Sequence, residues 1–385
     1  MRRLAWVCAL LLATTTAAAQ PEMTPEALHR RAEEKLAILD LADAAEAFTA
    51  YARRFPKQED APDALREALR LQVGLGQTDR AVESLHLFER LYGRKASERA
   101  HELRWRLARA LARRGAHHEA RRLTERERPT DPVETVLKLG FAARAAEQRH
   151  AARDADEAFE AILTTTQDAA AFEKMAAGAL QGDRLRRLGE ALTLACEARF
   201  RVAAKRKAAV LKQRPKPFRG PHTMEALQTY VARDLGPWLQ ELRREVQETE
   251  ELYLAVLQVK PSPAPRWVVA AGADVASLWW TFDARLDEIP KPPLPPEVVE
   301  AYRASLGSLR EPIRARAKAA ARICVDYATR YQLWSDDADR CLAWLDEHFP
   351  GENALPVTLA PQPERRAVPN PPRILRRGEA GPPPR

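Results

Sequence analysis

Apolar residues recur along this chain at helical spacing inside otherwise polar stretches, the pattern of amphipathic helices with one buried face. Thr24-Pro25-Glu26 opens the first of them, with a capping residue and then a proline at the first helical position. Three similar segments follow. Ala44-x-x-x-Phe48 has Pro56 twelve residues after the alanine; Gly76 leads into Ala81-x-x-x-Leu85, Phe88 and Gly93; Leu107, Ala108 and Leu111 lead through Gly115 to Ala120 and Asp131-Pro132. The offsets from Ala44 to Ala81 and from Ala81 to Ala120 are 37 and 39 residues. A small residue four positions before a bulky one lets paired helices approach closely, and a Pro or Gly ends the second helix.

The same reading continues downstream with less regularity. Residues 133–165 fit a fourth, divergent hairpin with Phe141, Ala155, Phe159 and Leu163 on apolar faces. A long helical signal over 171–212 is interrupted at Gly178 and Gly182, and Pro215, Pro217, Gly220 and Pro221 then break the chain. The next predicted helix covers 223–258, with Trp238, Leu239, Leu242, Val246, Leu252 and Leu257 as its buried stripe. Trp267 to Leu286 is strongly apolar and predicts a core helix, with Trp279 and Trp280 buried in it as core aromatics. Five prolines between Ile289 and Pro296 exclude helix and central strand there. Helix resumes from Glu297 to Arg310 and again from Pro312, as a pair covering about 312–331 and 335–348. Ten of the 29 prolines lie from Pro350 on, so residues 351–385 read as a disordered Pro/Arg tail. The expected architecture is all-α: repeats over 20–132, divergent helical repeats over 133–260 and a C-terminal helical region over 261–350.

Period and small–large pairing over residues 26–132 resemble the tetratricopeptide-repeat superfamily, whose fold is a solenoid of helix hairpins. Thr124 departs from that pattern by standing where a bulky residue is expected, and the repeats are longer than 34 residues. With its leader and Arg-rich, Pro-tailed composition, the chain is also similar to exported repeat proteins of myxobacteria associated with the envelope or with gliding motility. That resemblance implies a protein-binding scaffold with no catalytic group, no cofactor and no metal.

Composition adds a compartment and trims the charge. The 385 residues are 45% hydrophobic and 6% aromatic, too poor in aromatic and β-branched residues for a large β-protein. Residues 1–19 read as a secretory signal: Arg2 and Arg3, an apolar core from Leu4 to Ala13, then Ala17-Ala18-Ala19 before Gln20. The mature chain is expected to be periplasmic or secreted, without a transmembrane segment. Removing two arginines reduces the formal charge of +8 to about +6. The 62 basic residues comprise twelve Lys and so 50 Arg, a skew that a GC-rich genome produces without selection for nucleic acid, which is not an expected partner.

Candidate chemistry is sparse. No nucleophile elbow, phosphate loop, H-E-x-x-H or C-x-x-C occurs. His117-His118 follow Gly115 at a repeat turn and read as exposed turn residues in preference to metal ligands. Three cysteines remain after the leader. Cys324 and Cys341 fall at equal distances from a turn at Tyr331 to Leu333, which places them side by side in an antiparallel hairpin. They are a candidate disulfide worth about 3 kcal/mol, the competing reading being two buried thiols, and Cys196 reads as a buried core residue.

The densest local charge is Arg199 to Arg219, with nine basic residues and no acidic one. Arg199, Arg201, Lys205, Arg206, Lys207, Lys212 and Arg214 form the candidate polyanion-binding set. Such a run attracts anionic polymer or lipid headgroups at modest ionic strength; the competing reading is a solvated helix end running into a linker. The functional expectation is an exported scaffold or adaptor for protein partners in the envelope, with an envelope-polymer binding or assembly factor as the alternative.

Overall fold

A computed structural model describes residues 24–178, 183–221, 223–289 and 296–351. Every regular element among them is helical and no strand occurs, so the chain is all-α. The leader and the tail expected from sequence lie outside the described residues. The chain divides into two compact units between Ala161 and Ile162, inside the stretch read from sequence as 133–260.

The first unit is a run of helix hairpins. α1 (Pro25–Ala37) pairs with α2 (Leu41–Arg54), α3 (Ala61–Leu75) with α4 (Thr78–Tyr92), and α5 (Ser97–Arg113) with α6 (His117–Thr124). α7 (Pro132–Gln148) is followed by α8 (Ala152–Thr165), whose last residues belong to the second unit. Asp40 and Asp131 cap α2 and α7 through side-chain oxygens, each satisfying an otherwise orphan N–H of the first turn. The small–large pairs are buried where the periodicity put them: Ala44 with Phe48, Ala81 with Leu85, and in the fourth hairpin Ala155 with Phe159. Thr124 is fully buried at the odd position, and its hydroxyl donates to the Ala120 carbonyl at 3.0 Å, which meets its polar demand without a partner helix.

One turn is used four times. After the first helix of each hairpin a residue takes the left-handed conformation: Leu39, Gly76, Gly115 and His150, with φ of 61°, 78°, 82° and 58°. In each case the next N–H reaches back five residues, Asp40 to Lys35, Gln77 to Gln72, Ala116 to Leu111 and Ala151 to Ala146, closing a Schellman-type cap. This shared geometry ties the 133–165 hairpin to the other three. Between the third and fourth hairpins His101 Nδ1 lies 3.0 Å from Glu127 and its Nε2 3.2 Å from Glu134. Burial by itself raises the Glu134 carboxyl, but hydrogen bonds from Thr130 and His101 outweigh it and hold the group below the usual carboxylate range.

The second unit is built around one helix. It comprises α9 (Ala169–Gly178), α10 (Asp183–Val210), α11 (Met224–Tyr230), α12 (Gly236–Leu257), α13 (Pro265–Arg285), α14 (Pro296–Arg330) and α15 (Asp336–His348). α13 is the apolar core helix predicted, and α10, α12, α14 and α15 pack on it. Trp279 is buried, whereas Trp280 is only half-buried and stacks on His348 at 4.1 Å. Gly272 marks the closest approach of α13 and α14, since a Cβ there would sit 3.0 Å from Cys324 Cβ. Cys324 and Cys341 are bridged across the α14–α15 hairpin, with Cα atoms 6.5 Å apart, and Ser335 caps α15. That hairpin repeats the turn of the first unit: Gln332 has φ 53° and Leu333 N donates to Ala328 O. Cys196 is buried and unbridged, and burial raises its thiol.

Three sequence expectations are corrected. The two helices expected over 297–310 and from Pro312 are one, because α14 runs through Pro312. The proline removes one backbone donor but its ring lies on an exposed face, so packing on α13 carries the helix across it. The helix expected over 223–258 is widened by a π-type stretch, Val231–Leu235, ahead of Pro237. Gly236 N bonds back to Val231 O, an arrangement that accommodates the missing proline donor. The buried stripe of α12 is Leu242, Val246, Thr249, Glu250, Tyr253 and Val256, with Leu252 and Leu257 only half-buried.

A left-handed leucine is strained and a left-handed glycine is not. Leu39→Gly is therefore expected to raise stability by about 1 kcal/mol, and Gly115→Ala to lower it by about as much. Chemical denaturation of both variants checks this, and a stabilised Gly115→Ala would contradict it.

Candidate functional site

Val268, Ala271, Val275, Trp279 and Phe282 of α13, with Leu286 just after it, follow three- and four-residue steps and form the floor of a trough walled by α12 and α14. One half is a cavity of about 500 Å³, floored by small residues, Ala271 and Gly272, and walled by Leu254 and Leu257 on one side and Ala315, Ala319 and Ile323 on the other. The other half holds about 240 Å³ between Leu239 and Arg243 of α12 and Leu309 and Ile313 of α14. Pro312 and Arg316 line both halves. At the rim Leu254 is 43% exposed, Leu309 47% and Ile323 47%, so large apolar side chains stand in solvent along both walls. Exposed aliphatics gathered around a cavity mark a candidate docking surface, whereas scattered ones are ordinary.

The halves meet at a polar crossing. Glu250 of α12 is 8% exposed. Its carboxylate accepts from Trp279 Nε1 at 3.2 Å and from Arg316 Nε at 2.9 Å, so one buried group joins all three helices. The Arg316 guanidinium also lies 5.4 Å from the Trp279 ring centroid, within cation–π range. Arg316 is 53% exposed, and among the described residues its two Nη groups have no hydrogen-bond partner. Arg243, exposed on the opposite wall, likewise has no ion-pair partner among the described residues. The trough is thus largely apolar in both halves, with the Arg316 guanidinium where they meet and Arg243 on the wall of the second half. Tyr253 spends its hydroxyl on Asp274 at 2.7 Å; burial, then that carboxylate, raises its pKa well above the ordinary value.

The basic set singled out from sequence lies on α10 and the chain after it, and most of it is engaged by groups of the same chain. Lys207 is nearly buried, with Nζ 3.0 Å from Asp274 of α13; burial lowers its pKa and Asp274 partly restores it. Arg206 reaches Glu245 at 3.2 Å and Glu248 at 3.5 Å on α12. Arg201 pairs with Glu197 at 3.1 Å, and Arg214 with Glu288 at 3.0 Å. Arg199 donates to Thr166 Oγ1 at 3.0 Å, and Lys205 is engaged as well. Lys216 pairs with Asp234 at 3.1 Å. Lys212 and Arg219 stand exposed, without an ion-pair partner among the described residues. Sequence reading saw nine cations and no acid among them because the acids arrive from outside the run: Glu197 just ahead of it, Asp234, and carboxylates of α12, α13 and the turn after it.

The trough was partly visible in the sequence as the predicted core helix and the stripe on 223–258. Its polar crossing was not, because nothing local pairs Glu250 with Arg316, 66 residues away. His117, expected to be exposed, is half-buried at the start of α6. Burial, then nearby Arg144, lowers its pKa. No cluster of three metal-ligating side chains occurs among the described residues, and no helix among them is long and apolar enough to cross a membrane.

If α10 charges serve the fold, Lys207→Ala takes from Asp274 the nearer of its two cations, Arg340 standing at 3.8 Å, and lowers stability by about 1–3 kcal/mol, whereas Lys212→Ala leaves it within about 0.5 kcal/mol. Denaturant melts of the two variants side by side measure the difference, and equal melts would contradict the assignment.

The chain matches no protein-family model, and no curated protein matches it.

Proposed function

We propose that this chain is an exported, non-enzymatic scaffold of the cell envelope, repeat-built in the manner of tetratricopeptide-repeat proteins, that holds a protein partner in the trough of α12, α13 and α14. The observation that carries the reading is the pair of walls with Leu254 and Ile323 beside one cavity and Leu309 beside the other, each exposed at nearly half its area. Burying such a surface drives association at roughly 25 cal/mol per Å² before the costs of ordering. The polar groups on the trough do not form a nucleophile–base pair: Glu250 is spent on Trp279 and Arg316, and Tyr253 on Asp274. The leader-like first nineteen residues and the Cys324–Cys341 bridge support an oxidising compartment outside the cytoplasm.

The alternative, a binder of anionic envelope polymer through residues 199–219, has less support. Lys207, Arg206, Arg201 and Arg214 already hold carboxylates of the same chain, and Lys212 and Arg219 are exposed cations without an ion-pair partner among the described residues.

Affinity capture from envelope extracts, with crosslinking and mass spectrometry, separates the two. The scaffold reading expects one protein partner that survives high salt, is lost with the Leu254→Asp, Ile323→Asp double variant, and persists in Lys212→Ala, Arg219→Ala. Salt-sensitive retention on anionic polymer that follows Lys212 and Arg219 and ignores the trough would overturn it.

A further inference from the structure

The shape of the trough specifies its occupant further, on the reading that it is a docking surface. The two apolar cups are floored by residues 268–275 and 279–286, the last just past the end of α13, and the midpoints of the two stretches lie eleven residues apart. On a helix that is about 16 Å. Between the cups lie the Nη groups of Arg316, and on the α12 wall of the second cup stands Arg243, neither with a partner for those groups among the described residues. A complementary ligand is therefore apolar, then anionic, then apolar again, over three helical turns.

Three kinds of molecule meet that order differently. A single-chain amphiphile carries its anion at one end, so it fills one cup and leaves the other empty. An extended peptide covers about 16 Å in five residues. Five is an odd number, so its two anchors point to opposite faces. In an α-helix, residues i and i+11 differ by only about 20° in direction, so both face the trough. Positions i+4 and i+7 fall on the same face between them, where a carboxylate meets a guanidinium. Ala271 and Gly272 of the floor and Ala315 and Ala319 of the wall are small enough to let a helix backbone come close.

We infer that the trough binds an amphipathic helix of a partner protein, with large apolar anchors at i and i+11 and an acidic residue at i+4 or i+7 that pairs with Arg316 and Arg243. Arg316 Nε stays on Glu250, and the Nη edge, which Glu250 does not use, takes the partner's carboxylate. The arrangement is a four-helix packing completed in trans: α12, α13 and α14 provide three helices and the partner the fourth.

Fluorescein-labelled synthetic peptides of about eighteen residues on an Ala/Gln/Lys background test this against the full chain by fluorescence anisotropy. The reference peptide carries leucine at its fourth and fifteenth positions and glutamate at its eighth and eleventh. It is expected to bind saturably and to gain helicity by circular dichroism. Affinity is expected to fall about tenfold or more when both glutamates become glutamine, or when the second leucine moves two positions toward the first. The same loss is expected with Arg243→Glu, a surface change on α12, or with Ile323→Asp. Equal binding of the shifted peptide, or of a proline-broken extended version, overturns the helix. So does sedimentation showing that a second copy of the chain fills the trough. If no peptide binds while Leu254→Asp, Ile323→Asp still abolishes capture of the protein partner, the helix fails and the docking surface stands. If neither responds to those variants, both fail.

Discussion

The second unit depends on one buried carboxylate. Glu250 accepts from Trp279 on α13 and from Arg316 on α14 while it sits on α12, so a single side chain sets the spacing of the three helices that form the trough. A buried carboxylate is costly without partners, and these two donors meet that cost. Because Arg316 spends only its Nε edge there, the group that fastens the trough also leaves donors pointing out of it. Structure and binding chemistry share a residue, and the apolar halves on either side are separated by the same crossing. Gly272 against Cys324 draws α13 and α14 together on the other flank, and the Cys324–Cys341 bridge ties α15 to the same place.

The first unit follows a simpler rule. A left-handed residue after the first helix of each hairpin, with an N–H reaching back five positions, turns the chain in the same way four times. Glycine fills that position twice, at Gly76 and Gly115, and those two were legible because glycine at a helix end is a strong signal. Leu39 and His150 fill the other two and carry no such signal; only the backbone shows the equivalence. The same constraint explains why the fourth hairpin read as divergent. Its Ala155–Phe159 pair is regular, while its turn residue is not.

Helices and their apolar faces were readable because they are local: three- and four-residue spacing needs no knowledge of a partner element. The hairpin at 312–348 was readable in the same way, down to the facing cysteines. What escaped was long-range. Nine cations between 199 and 219 read as a free basic run, yet Lys207 meets Asp274 and Arg214 meets Glu288, both far along the chain. Pro312 read as a helix start, and packing on α13 carries α14 through it. The stripe on α12 was misjudged beyond Val246 because the three- and four-residue steps from Leu242 and Val246 run on through the polar Thr249 and Glu250 to Tyr253 and Val256, leaving Leu252 and Leu257 off that face.

The central claim is that the trough, not the basic run, meets the partner. Site-specific photocrosslinking in cells tests it most directly, with a benzophenone amino acid placed at Ile323, at Leu254, and at Lys212 and the outward-facing Arg153 as controls. The account predicts one discrete protein adduct from Ile323 and Leu254 and none from Lys212 or Arg153. Adducts from Lys212 with none from the two trough positions would contradict it.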